Sequence, residues 1–235
     1  MTEILVWPAS VLRPAGLRAN VVPFTRSGGR TLGGLERVVR TDRGYWSIVY
    51  QGVMLDTVER RRCFTAIRSH MGGKAGQIAI PVFSFDTVPW PDGSIRGYVA
   101  ETFSDGATFS DGSSYGQPVI VVQMAEAAAV GDTTVVLRIV DGIDDLAGVR
   151  WSHEHALYET GVPILVDGDE WTVPVTPAIR APIAADAELN FATPTCLVRL
   201  AEDSAMDNAL TAGAVDQVDV AFVEDNEYWN DLAAA

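Results

Sequence analysis

The chain is 235 residues long and 48% hydrophobic, enough to fill the core of one large domain or two small ones. No window of about 20 residues is apolar enough to cross a bilayer, so no membrane insertion is expected. The net charge of −14 is divided unevenly: residues 1–80 carry twelve Lys+Arg against five Asp+Glu, a balance of +7, and residues 81–235 carry five against 26, a balance of −21. That split fits two differently solvated surfaces, and equally a subunit whose basic region meets acidic surfaces of its neighbours. Nucleic-acid binding would rest on the basic third alone, which has no aromatic–basic interleaving and no nucleic-acid motif. The start, Met-Thr-Glu-Ile, lacks the basic and apolar runs of a signal peptide. Two cysteines, Cys63 and Cys196, are too few for a disulfide scaffold and point to reduced thiols in a cytosolic assembly.

Residues 1–30 read as loop with short strands. Trp7-Pro8 and Arg13-Pro14 disfavour helix, and Asn20 to Phe24 fits a short strand. Gly28-Gly29 and Gly33-Gly34 lack the Lys-Ser/Thr ending of a phosphate loop and read as turns. Leu35 to Val39 is a second strand, turning at Asp42-Arg43-Gly44 into a third that begins at Trp46.

The best-defined stretch is Ser47 to Phe83, a strand, a helix and a strand. Trp46, Ile48 and Tyr50 alternate with period two. Asp56 and Glu59 have capping-box spacing, and Cys63, Phe64, Ile67 and Met71 share one face of a helix over 56–71. Arg60, Arg61, Arg62 and Arg68 lie largely off that face, and Gly72-Gly73 supplies the left-handed stop. Ile78, Ile80 and Val82 then alternate, and Pro81, without an N–H, marks an edge strand.

Residues 84–118 break the pattern. Pro89-Trp90-Pro91 is followed by an echo, Phe103-Ser-Asp-Gly106 and Phe109-Ser-Asp-Gly112. Asp-Gly signals tight turns, and no Glu closes an EF-hand loop. The segment reads as an extended contact loop. Residues 119–182 hold short β-branched strands (119–123, 133–140, 157–158, 164–166 and 170–173), with Asp167-Gly168 as a hairpin turn between the last two. This spacing predicts a small barrel or sandwich. Strands follow at 189–191, 195–200 and 217–224, then an acidic loop at 203–213 that precedes the last of them, and a polar tail from Asn226 that presents Tyr228 and Trp229 to a partner.

Chemistry is hard to find. His70 sits at the helix end. His153-Glu154-His155 would put two imidazoles on one side of a strand, but no third ligand is placed by spacing, so no metal is assigned. There is no Gly-x-Ser-x-Gly elbow, and carboxylates are too plentiful for any pair to be singled out. No catalytic residue and no cofactor is expected.

The order of features resembles the distal tail proteins, minor virion proteins at the tail tip of long-tailed, siphovirus-like bacteriophages. The matching residues are Trp7-Pro8 with Pro14, the two Gly-Gly loops before the Trp46 strand, and the Arg-bearing helix ending in Gly72-Gly73. They continue with Pro81 before Pro89-Trp90-Pro91, the echo at 103–112, Thr176-Pro-Ala-Ile-Arg180 and the closing Val-Ala-Phe-Val-Glu224. The resemblance implies a mainly β fold with one principal helix. A ring-forming β-sandwich core would comprise 1–90 and 189–235, 91–118 an extended loop, and 119–182 an inserted barrel-like β-domain. It implies a hexameric ring joining the tail tube to the hub and fibres, with DNA passing through the lumen unbound. The acidic excess suits such a lumen. Subunit contacts are then expected at Arg60, Arg61, Arg62 and Arg68, and at Tyr228 and Trp229. The same texture is compatible with a tail tube or tail-completion subunit, and with a carbohydrate- or receptor-binding module stacking sugars on Trp90, Trp151 and Trp171. A hydrolase would need one carboxylate on which activity depends.

Overall fold

A computed structural model describes residues 4–30, 32–34, 36–82, 99–101, 115–117, 120–142, 145–207 and 216–234. The chain is mainly β and is built on two antiparallel sheets. In chain order the elements are β1 (Gly16–Arg30), β2 (Glu36–Leu55), α1 (Val58–Met71), β3 (Ile78–Pro81), β4 (Val99–Glu101), β5 (Tyr115–Gln117) and β6 (Val121–Met124). There follow β7 (Thr134–Asp141), β8 (Arg150–His153), β9 (Ala156–Thr160), β10 (Leu165–Asp167), β11 (Glu170–Thr176), β12 (Glu188–Leu189), β13 (Thr195–Leu200), β14 (Asp216–Glu224) and α2 (Asn226–Ala234). β4 and β5 form a separate two-stranded ribbon. The echo at 103–112 and Trp90 lie outside the described residues.

The first sheet has the order β1-β2-β14-β13-β3. Pro81 is on its outermost strand, where a missing N–H costs no ladder bond. The N-terminal segment covers that edge: Trp7 N–H donates to Ala79 O at 2.8 Å, and Ala79 N–H donates to Leu5 O at 2.9 Å. Period two in β14 puts Val218, Val220 and Phe222 inward. Phe222 meets Tyr50 and Trp7 in an edge-to-face trio with centroids 5.4–5.8 Å apart. Such pairs add about 0.5–1.5 kcal/mol each beyond their area.

α1 covers this core with Phe64, Ile67 and Met71 buried and Cys63 half-buried. It ends on Gly72 at φ 53°, a left-handed conformation that favours glycine. Its start is one residue later than the Asp56 spacing suggests. Thr57 is the N-cap, its hydroxyl accepting from Arg60 N at 3.2 Å, and Asp56 instead pairs with the Arg60 guanidinium at 2.7 Å.

The second sheet runs β12-β6-β7-β11-β9-β8, with β10 flanking β11. Ser152 of β8 and Asn190, just past β12, exchange two backbone hydrogen bonds at 2.9 and 3.0 Å. They bring the first and last strands of the path together, giving a near-barrel. Trp151, Tyr158 and Phe191 stack at its centre. The two cores interlock: Leu157 of the barrel packs in the first core and Leu197 of the sheet in the second.

The N-terminal third departs most from expectation. Residues 16–30 are not loop with a short strand but one long strand, and the two strands expected on either side of 42–44 are one, β2, paired with it along its length. Val22 pairs with Tyr45, yet Phe24 pairs with Thr41, so Asp42-Arg43-Gly44 is a bulge inside β2 rather than a turn. Pro23 lies opposite, at the break in register, where it has no N–H to give. The C-terminal tail is also ordered. Asp225 Oδ1 accepts from Glu227 N and Tyr228 N, both at 3.2 Å, and so caps α2.

Candidate interaction site

No grouping of three or more His, Cys, Asp or Glu side chains suited to a metal occurs among the described residues. His153, Glu154 and His155 do not share a strand face. His153 pairs with Ala156, and Glu154 and His155, at φ 47° and 71°, are the two-residue turn between β8 and β9. His155 Nδ1 lies 2.9 Å from Thr195 Oγ1, and burial pushes its imidazole below the ordinary value of 6.5. Trp151 is fully buried and so offers no open face for sugar stacking, whereas Trp171 packs half-buried against the same core. No helix among the described residues is long and apolar enough to cross a membrane.

The principal buried charges hold the two sheets together. Arg180 donates from Nε to Glu224 Oε1 at 2.9 Å and from Nη2 to Oε2 at 3.1 Å, and Nη2 also donates to Gly44 O. Trp46 N–H donates to Glu224 Oε2 at 3.0 Å, and the Trp46 indole N–H to Leu157 O at 2.8 Å. Tyr158 OH accepts from Arg180 N at 2.8 Å. Burial raises the Glu224 carboxyl above its usual range, opposed by Arg180 and the Trp46 N–H. The cluster therefore ties the loop before β12 to β14, β9 and the β2 bulge, a joint between the two sheets.

The expected contact residues divide. Arg60 is held by Asp56, and Arg61 Nε donates to Leu55 O at 2.8 Å. Arg62 and Arg68 are exposed and make no ion pair among the described residues. Tyr228 is half-buried, its ring edge-to-face with Trp229 at 4.9 Å. Trp229 is not presented to a partner: it is 3% exposed and packed into the second core. The period of α2 turns it inward, a feature hidden by the polar residues around it.

The feature that projects is the distal half of the β1–β2 hairpin. β14 pairs with β2 only from Ser47 onward, so Pro23–Arg30 and residues 36–46 form a two-stranded arm. Eight residues at ~3.3 Å each carry it roughly 25 Å. At its root, Arg150 donates to Ala19 O at 3.1 Å and lies 5.4 Å from the Trp46 ring centroid. Gly44 is required there, because a Cβ would meet Val21 Cγ1 at 2.9 Å. Further out the side chains face solvent: Phe24, Leu32, Val38 and Val39 are exposed, with Arg26 and Arg30 beside them. Residues 23–44 contain five arginines against Glu36 and Asp42. Phe24, Arg26, Val39 and Thr41 line an apolar groove of about 450 Å³. The signal in sequence was aliphatic residues beside arginines between paired glycines, masked by the glycines themselves.

Against known proteins, no family model matches the chain, and no curated protein matches it.

Proposed function

We propose that the chain is a structural subunit of a bacteriophage tail tip, a distal tail protein that closes into a ring, hexameric by resemblance. The ring would join the tail tube to the hub and fibre proteins and leave a lumen through which DNA passes unbound. The protein would act in the virion and assemble in the host cytoplasm, without catalysis.

The observation that carries this reading is the arm. A lone two-stranded ribbon is marginal in water, and its open edges and exposed apolar side chains are a liability unless something covers them. Here the ribbon is long, basic and apolar, on a chain whose remainder is strongly acidic. A neighbouring copy supplies both the cover and the opposite charge. Head-to-tail contacts of this kind, between two different patches, generate closed rings where the rotation between copies closes.

Negative-stain images of the purified chain, with its mass in solution, test the proposal. The expected result is a closed ring of 25.3 kDa chains with a central hole that also binds tail tubes. A persistent monomer that never joins tails overturns it.

A further inference from the structure

We infer that the arm of one copy docks on the β10–β11 hairpin of the next copy. This rests on the ring reading and names the two surfaces that make its contact. The exposed large apolar side chains among the described residues concentrate in two places. One is the arm, with Phe24, Leu32, Val38 and Val39. The other is the β10–β11 hairpin and its approach, with Val162, Ile164, Leu165 and Val166, beside which Val140 is also exposed. Clustered exposure of this kind marks an interaction surface, whereas scattered exposure does not.

The two places have opposite charge. Residues 151–179 hold five carboxylates and no Lys or Arg, and Asp167 and Asp169 at the hairpin turn are exposed. The arm presents Arg26 and Arg30. Geometry agrees as well. β10 is a three-residue strand that pairs only with β11 among the described residues, and Ile164 just before it, with its own Leu165 and Val166, makes three consecutive exposed aliphatic residues. The apolar groove on the arm, beside Phe24 and Val39, has room for one or two such side chains. Arg26 borders that groove, where it meets Asp167 as Ile164 and Leu165 enter.

The arm extends the first sheet and β10 flanks the second, so each copy carries one of each surface. The contact is head-to-tail, with an arm and a hairpin left open until the ring closes. In Arg26→Glu, a glutamate arm faces an aspartate hairpin. In Asp167→Arg, an arginine arm faces an arginine hairpin. Each variant repels itself, but the two are complementary to each other in both directions. They close together only as an alternating ring with an even number of subunits.

Sedimentation velocity on the full chain tests this. Each variant alone is expected to self-associate at least about tenfold more weakly than the wild type, since facing like charges oppose docking. An equimolar mixture is expected to recover association to within about threefold. Unchanged thermal melts would show that both variants fold, as exposed positions without an ion pair among the described residues should. Variants that associate as the wild type does, or a mixture no better than its components, overturn the arm–hairpin contact while leaving the ring standing. A wild type that stays monomeric overturns both.

Discussion

Arg180 and Glu224 meet across the joint between the two sheets in a two-point ion pair, with side chains 11% and 0% exposed. Removing one partner strands the other in a desolvated site. Arg180→Met is therefore expected to destabilise the fold by about 3–5 kcal/mol in urea titration. Adding Glu224→Gln removes the stranded charge and keeps an acceptor for Trp46 N–H. The double variant should be more stable than Arg180→Met alone. If it is less stable, Glu224 holds the joint without Arg180.

His155 gives a pH dependence with a defined sign. Burial lowers its folded-state pKa below the 6.5 that it has when exposed. The folded protein then binds this proton less readily than the unfolded chain, so protonation favours unfolding. The contribution to stability is complete above 6.5 and is lost as pH falls through the folded value. His155→Asn tolerates the left-handed backbone at φ 71° and cannot titrate. The gap in urea midpoint between wild type and variant should move against the wild type as pH falls from 8 to 5. A gap independent of pH contradicts this.

Two neighbours at the start of α1 separate a cap from an ion pair. Thr57 satisfies a helix N–H, and Thr57→Ala is expected to cost about 1 kcal/mol. Asp56 makes a one-third-exposed pair with Arg60, and Asp56→Ala should cost about 0.5 kcal/mol or less. Thermal unfolding of both variants checks the order. The reverse order would restore Asp56 as the cap.

The helix, its glycine stop and the edge position of Pro81 were legible because each is set by residues within a few positions. Capping was legible to within one residue, since Asp56 and Thr57 are both good caps and only geometry chooses between them. The arm was not. Its glycine pairs signal turns, whereas Gly28 and Gly29 lie inside β1 at a break in register between the pairs Ser27–Val38 and Arg30–Glu36, with Gly29 at φ 82°. Asp42-Arg43-Gly44 has turn composition, yet a two-residue excess over Pro23 absorbs it as a bulge. Arg180 and Glu224 stood in the sequence as unrelated residues, because nothing local pairs positions 44 apart. The tail failed for a related reason: its single Trp sits on a polar helix and reads as exposed unless the barrel is there to receive it.

Trp229 therefore separates a core residue from a contact residue. Packed into the second core at 3% exposure, it should behave as a large interior aromatic. Trp229→Ala is expected to cost about 3–5 kcal/mol, through lost burial and the cavity left behind. Trp229→Phe should cost much less, because the indole N–H it removes has no partner among the described residues. Tyr228→Ala, at a half-buried position on the same helix, should fall between them in stability. Calorimetry of the three variants, beside their ring content, decides the role. A Trp229→Ala chain that melts like the wild type but no longer assembles would return Trp229 to the subunit boundary.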